Sequence, residues 1–174
     1  MKKIGIILTA FITITLSCKD KKESNTENKT ASEVQPAGAG ADASFSSTST
    51  GAAYLAYQEL RKALVVSDAA AAQKAADRLS QALEDEQSEA VSITTSMAAT
   101  SDLEEIRNLF SELTASLDPL FREALAEGEI YQQFCPMAFE GKGGYWLSDK
   151  EEIRNPYYGD KMLTCGKVTE VITQ

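Results

Sequence analysis

Ser101–Phe121 reads SDLEEIRNLFSELTASLDPLF. Leu103, Ile106, Phe110, Leu113, Leu117 and Leu120 follow one another at spacings of three and four, which sets them along one face of an α-helix. Ser101 followed three residues on by Glu104 has the form of a capping box, in which the serine oxygen accepts from the Glu104 amide and the carboxylate reaches back. A helix therefore starts here. Pro119 lacks an amide hydrogen and clashes with the preceding turn, which predicts a kink, or a restart with Asp118 as a new cap, before Gly128 ends the helix.

One apolar face needs others. Upstream, Ala53, Tyr57, Leu60 and Leu64 repeat the same spacing and predict a helix running to about Val66. Ser67-Asp68 supplies a turn and an N-cap. Ala72, Ala76, Leu79 and Leu83 then mark a second helix toward Glu86, whose small face allows close approach, and the short connection makes the two antiparallel neighbours. Val91-Ser92-Ile93-Thr94-Thr95 are weak helix formers, so a bend or break is expected there, with a short fourth piece around residues 88–98. Glu84, Asp85, Glu86 and Glu89 suggest a hard-metal cluster, but consecutive acids on a helix point in different directions and read as a solvated face. The fold class is mostly α: an up-down bundle of three or four helices over residues 52–127, with residues 128–174 completing the same domain as a small α+β lobe.

The chain opens on Met1-Lys2-Lys3, an apolar run from Ile4 to Leu16, and then Ser17-Cys18. These are the basic, apolar and small-residue regions of an export signal, and the apolar run is too short to span a bilayer. Leu16-Ser17-Cys18 resembles the cleavage box of bacterial lipoproteins, which implies a signal peptide over residues 1–17 and lipidation of Cys18. Thr15 departs from that pattern, where a bulky aliphatic is usual. From residue 18 to Gly51 the composition turns to Ser, Thr, Asn, Ala, Gly and charge, with Phe45 as almost the only large apolar residue, which predicts a disordered tether. Lys19-Asp20-Lys21-Lys22-Glu23 occupies the position of envelope sorting signals. The expected location is thus the bacterial cell envelope, lipid-anchored at the outer membrane or a periplasmic face.

Removing residues 1–17 takes away Lys2 and Lys3 and no acid, so the net charge of −9 becomes −11. Phosphate backbones select basic surfaces, so nucleic acid is excluded as a partner, and anionic headgroups are disfavoured, which leaves membrane attachment to the lipid. There is no histidine, which removes the usual general base and the commonest zinc ligand. Gly141-Lys142 lacks the spacing of a phosphate loop, and Cys-x-x-Cys is absent. A binding role is expected, not an enzyme.

Seven of the 13 aromatic residues and six of the 10 glycines fall in residues 128–174. Glu129–Phe134, Gly144–Ser148 and Lys167–Ile172 are predicted strands, and Asn155-Pro156 and Tyr158-Gly159-Asp160 are turns. Tyr145-Trp146 and Tyr157-Tyr158 read as the core of the lobe, and Arg154 with Asp160 as an ion pair ordering the Asn155-Pro156 turn. The lobe is bracketed by sulfur: Phe134-Cys135-Pro136-Met137 at one end and Met162-Leu163-Thr164-Cys165-Gly166 at the other. Thiolates and thioethers prefer copper(I) or silver(I), so Cys135, Met137, Met162 and Cys165 are candidate ligands. The competing reading is a Cys135–Cys165 disulfide, closing a loop of about 30 residues and worth about 3 to 4 kcal/mol. Thiol–disulfide exchange is a third.

These runs, with Gly144-Tyr145-Trp146-Leu147-Ser148 and Ile153-Arg154-Asn155-Pro156-Tyr157-Tyr158-Gly159-Asp160-Lys161 between them, resemble a bacterial domain of unknown function. That domain occurs as stand-alone lipoproteins and at the end of periplasmic adaptor subunits of copper and silver efflux pumps. The resemblance covers about residues 52–172. It implies heavy-metal handling in the envelope, with efflux components as partners, the same four sulfur residues as ligands and no catalytic role. The chain lacks the adaptor's barrel and hairpin regions and any His-rich segment. As an alternative to an accessory of heavy-metal efflux or resistance, a disulfide-stapled lobe would serve as a protein–protein interaction module without metal.

Overall fold

A computed structural model describes residues 43–83 and 87–174. The leader, Cys18, most of the tether and Glu84-Asp85-Glu86 lie outside the described residues. Four helices, α1 (Thr48–Val65), α2 (Ala69–Ala82), α3 (Ser88–Ala99) and α4 (Leu103–Ala124), form the bundle. Their apolar faces meet in one core in which Tyr57, Leu60, Leu64, Leu79, Phe110, Leu113 and Leu117 are fully buried.

Local chemistry sets the boundaries. Asp68 caps α2 by accepting from the Ala71 amide at 2.9 Å, as its position predicts. Between α1 and α2 the Ser67 backbone is left-handed, with φ of 57°, and the amides of Ser67 and Asp68 return to the carbonyls of Leu64 and Ala63. That is a Schellman ending with serine where glycine is usual. The α4 cap is Asp102, one residue beyond the expected Ser101: its carboxylate accepts from Glu104 and Glu105 at 2.9 and 3.3 Å. A carboxylate at a helix N-terminus also meets the positive end of the dipole, which favours it over the neighbouring hydroxyl.

Neither expected break ends its helix. Helix α3 runs through Val91–Thr95, where the Thr94, Thr95 and Ser96 hydroxyls donate to carbonyls four residues back. The hydroxyls that weaken helices elsewhere are absorbed by the helix itself. Helix α4 runs through Pro119 without restarting, because Leu117 and Phe121 on either side are fully buried and Asp118 is tied to Arg122 at 2.7 Å instead of capping. It ends at Ala124, earlier than Gly128, and passes into strand β2 (Leu125–Glu127).

Strand β2 pairs antiparallel with a short strand, β1 (Ser44–Phe45), that precedes α1. The described structure therefore includes residues 43–51 of the stretch expected to be tether. Phe45 anchors it, with its ring centroid 4.9 Å from that of Tyr54 and 6.0 Å from that of Phe121. After Gly128 come β3 (Ile130–Cys135), a short turn of helix, α5 (Ala138–Gly141), then β4 (Gly144–Ser148), and finally β5 (Lys167–Ile172), in an antiparallel sheet of order β4-β3-β5. The fold class is as expected, a helical bundle with a small C-terminal lobe of short strands.

The bundle holds the edge of this sheet. The Leu147 amide on β4 donates to the Tyr57 hydroxyl at 3.1 Å, and Gln58 Nε2 donates to the Leu147 carbonyl at 3.2 Å. Arg61, on the next turn of α1, donates through Nε to Gln58 at 2.7 Å and pairs with Asp149 at 2.7 Å, both side chains being only 4% exposed. Burial alone would raise the Asp149 pKa, but the Arg61 guanidinium and the Lys62 ammonium outweigh it and hold the carboxyl below its ordinary 3.8. A folded pKa below the unfolded one means that the stabilisation is complete above about pH 4 and lost as the pH falls through the folded value. Asp149→Ala leaves the buried Arg61 charge without its partner and is expected to cost about 3 kcal/mol or more in urea unfolding at pH 7. The difference from the unaltered chain should shrink as the pH is lowered below about 4, and a deficit independent of pH would contradict this account.

Candidate functional site

The two sulfur runs meet. Strand β3 ends on Cys135, which the pleat places on the same inward face as Gln133, and both are fully buried. Gln133 accepts from the Trp146 indole at 2.6 Å and donates to the Lys150 carbonyl at 2.8 Å, which fixes the end of the strand. Cys165 lies half-buried just before β5, and its sulfur is 3.1 Å from that of Cys135. Both cysteines are free thiols.

The backbone of the first run is threaded into the second. The Met137 carbonyl accepts from the Tyr158 hydroxyl at 2.6 Å, and the Met137 backbone lies close enough to Cys165 to lower its pKa. The Met137 side chain is 53% exposed, so its thioether stands open to solvent two residues along the chain from Cys135. Met162 is half-buried, and its carbonyl accepts from the Cys165 amide at 3.0 Å. Hydrogen bonding to Cys135, then burial and the repulsion of a second sulfur charge, push the Cys165 pKa up, opposed by the Met137 backbone. A negative charge on the Cys165 sulfur is thus disfavoured with Cys135 beside it.

Three features of the frame were not legible as such. Asn155 is fully buried and uses every polar group: Nδ2 donates to the Cys165 carbonyl at 2.8 Å, Oδ1 accepts from the Tyr157 amide at 2.8 Å, and its own amide reaches Leu163 at 2.8 Å. It orders the turn that an Arg154–Asp160 pair was expected to order, and Arg154 pairs with Glu152 at 2.8 Å instead. Gly166 has φ of 146°, and a Cβ there would lie 2.9 Å from Trp146, so the chain passes the indole only as glycine. Phe139 and Glu140 in α5 are left-handed, with φ of 52° and 59°, a conformation that costs non-glycine residues about 1 kcal/mol or more each. Beside them Phe139, Lys142, Tyr157, Tyr158 and Arg107 line an open cleft of about 430 Å³.

The aromatic expectation divides. Trp146 and Tyr157 are core, whereas Tyr145 is 47% exposed and stacks on Phe134 with ring centroids 4.4 Å apart. Among the described residues no three or more Cys, Asp or Glu side chains gather as a metal cage. The donors seen in contact are the Cys135 and Cys165 sulfurs.

Residues 53–127 match a family model described as a protein of unknown function (DUF3347). The match spans most of α1 and all of α2, α3, α4 and β2, and stops just before the sheet that carries Cys135. No curated protein and no solved structure matches the chain.

Asn155→Ala leaves the Cys165 carbonyl and the Tyr157 amide without partners, and is expected to cost about 2 kcal/mol or more in urea unfolding. Alkylation followed by mass spectrometry should find Cys165 faster than the buried Cys135 in the unaltered chain, with the Asn155→Ala change accelerating both. Equal rates for the two thiols in the unaltered chain would contradict the burial difference.

Proposed function

We propose that this chain is an envelope lipoprotein that binds copper(I) or silver(I) through Cys135 and Cys165, with Met137 and Met162 as thioether donors, as an accessory to heavy-metal efflux or resistance. The observation that carries this reading is the 3.1 Å approach of two thiols that lie 30 residues apart in sequence, with the exposed Met137 two residues along the chain from one of them. A soft ion replaces the two thiol protons and removes the repulsion that otherwise resists a second thiolate. An all-sulfur donor set favours monovalent soft ions over zinc or copper(II), whose usual imidazole ligand the chain lacks.

The present separation is shorter than a chelate needs. With metal–sulfur bonds of about 2.3 Å, a two-coordinate ion requires its sulfurs about 4 Å apart or more. The adjustment falls to Cys165, because Cys135 is fixed at a buried strand end while Cys165 sits half-buried on a turn. The leader, the Cys18 box and the acidic, histidine-free composition support the envelope setting and a binding role without catalysis. The same short separation favours a second reading, in which the pair closes as a disulfide and the stapled lobe docks another envelope protein without metal.

The full chain with Cys18→Ser retains Cys135 and Cys165 as its only cysteines. Equilibrium dialysis of the reduced protein against silver(I) should give one bound ion per chain, with both thiols protected from alkylation. The Cys135→Ser, Cys165→Ser double variant is expected to lose that binding. Purification with no free thiol before reduction, or silver(I) binding unchanged in the double variant, would overturn the metal reading.

A further inference from the structure

The pair is nearly closed on itself. A disulfide has its sulfurs about 2.05 Å apart, so the 3.1 Å separation leaves about 1 Å of movement, within reach of side-chain rotation at the half-buried Cys165. Removing one electron from either sulfur therefore leaves a second sulfur beside it, ready to bond. Access is one-sided, since Cys135 is completely buried and Cys165 is not. An oxidising ion from solution meets Cys165 first. A copper(II) ion arriving there finds no imidazole in the chain, and no cluster of three or more Cys, Asp or Glu among the described residues. The site thus lacks the imidazole ligands that favour copper(II), whereas sulfur stabilises copper(I).

We infer that the Cys135–Cys165 pair reduces copper(II) to copper(I), each chain supplying two electrons to two copper(II) ions and closing into a disulfide. The choice of ion rests on the soft-metal reading above. Copper(II) displaces the proton of the Cys165 thiol, and one electron passes from sulfur to metal. Cys135 loses its proton to water and bonds to the Cys165 sulfur, and the second electron passes to a second copper(II). Two S–H bonds break, one S–S bond forms, two protons enter solvent and two copper(I) ions result. The thiolates are then consumed, so copper(I) is left to neutral thioethers such as the exposed Met137, from which a thiolate-bearing acceptor draws it. A dithiol reductant restores the pair by exchange.

The test uses the reduced full chain with Cys18→Ser, mixed under nitrogen with two equivalents of copper(II) sulfate and excess bicinchoninate, which reports copper(I) by colour. Two copper(I) per chain are expected, together with the loss of both thiols, a mass lower by two hydrogens and a monomeric product. A chain left with one thiol closes only against another chain, so Cys135→Ser should give about half the copper(I), with kinetics second order in protein and covalent dimers. Cys165→Ser, at the less buried position, repeats the measurement should Cys135→Ser fail to fold. Thiols that stay reduced, a dimeric product from the two-thiol chain, or a single-thiol variant that matches its yield as a monomer would each overturn the inference. Silver(I), which takes no electron from the thiols, separates the two readings. Silver(I) bound without copper(II) reduction rejects electron transfer and keeps the binding site, and reduction without silver(I) binding rejects the binding site and keeps electron transfer.

Discussion

Strand β4 lies at the edge of its sheet, and a free edge presents backbone groups that must find partners. Helix α1 supplies them from its side chains: Tyr57 accepts from the Leu147 amide, and Gln58 donates to the Leu147 carbonyl. The Tyr57 hydroxyl also bonds Thr114 on α4 at 2.8 Å, and Arg61 secures Gln58 while pairing with Asp149 just past the strand. Bundle and sheet are thereby in register to within a hydrogen bond. Buried polar groups of this kind have no alternative partner in the core, so the sheet can dock on α1 in one position only. The location of Cys135 follows, because β3 pairs with β4 residue by residue, with Cys135 opposite Gly144.

A second fastening works at the other end of the lobe. Arg107 on α4 is buried, and its guanidinium donates to the Pro156 carbonyl at 3.1 Å, to Ser67 Oγ at 3.0 Å and to Glu104 at 2.6 Å. It joins the α1–α2 corner to the turn that begins at Asn155. This explains why Ser67 stands where glycine would otherwise end α1: its hydroxyl is a ligand of the guanidinium, which offsets the left-handed backbone. It also explains the close approach of Gly159, where a Cβ would sit 2.5 Å from that hydroxyl.

Periodicity made the helices legible, and β-rich runs between glycines placed β3, β4 and β5 within a residue or so. What failed to show were effects that local pattern cannot carry. Pro119 reads as a break because propensity counts its missing hydrogen bond, about 3 kcal/mol, and not the burial of Leu117 and Phe121 that retains the helix. Phe45 looked like a stray apolar residue in a tether because its partners, Tyr54 and Phe121, are brought together only by the fold. The meeting of Cys135 and Cys165 was legible from their place at the two ends of one loop. Asn155 was legible only as a turn former, because a side chain that satisfies backbone groups 10 residues ahead has no sequence spacing to announce it. The Arg154–Asp160 pairing failed for the complementary reason: surface charges take the nearest available partner, and Glu152 was nearer in space.

The asymmetry of the cysteine pair is a consequence of these fastenings. Cys135 inherits the rigidity of a central strand hydrogen-bonded on both sides, whereas Cys165 hangs on a turn held by its carbonyl to Asn155 and its amide to Met162. Those bonds fix the backbone, and the thiol itself is held by its contact with Cys135 and by the nearby Met137 backbone. On the readings proposed above, opening the sulfurs to admit an ion and closing them to bond would be opposite excursions of that one side chain. The two strained residues in α5, Phe139 and Glu140, fit the same division of labour. They turn the chain from the end of β3 back toward β4, where the Lys142 and Gly143 amides return to the Phe139 and Ala138 carbonyls.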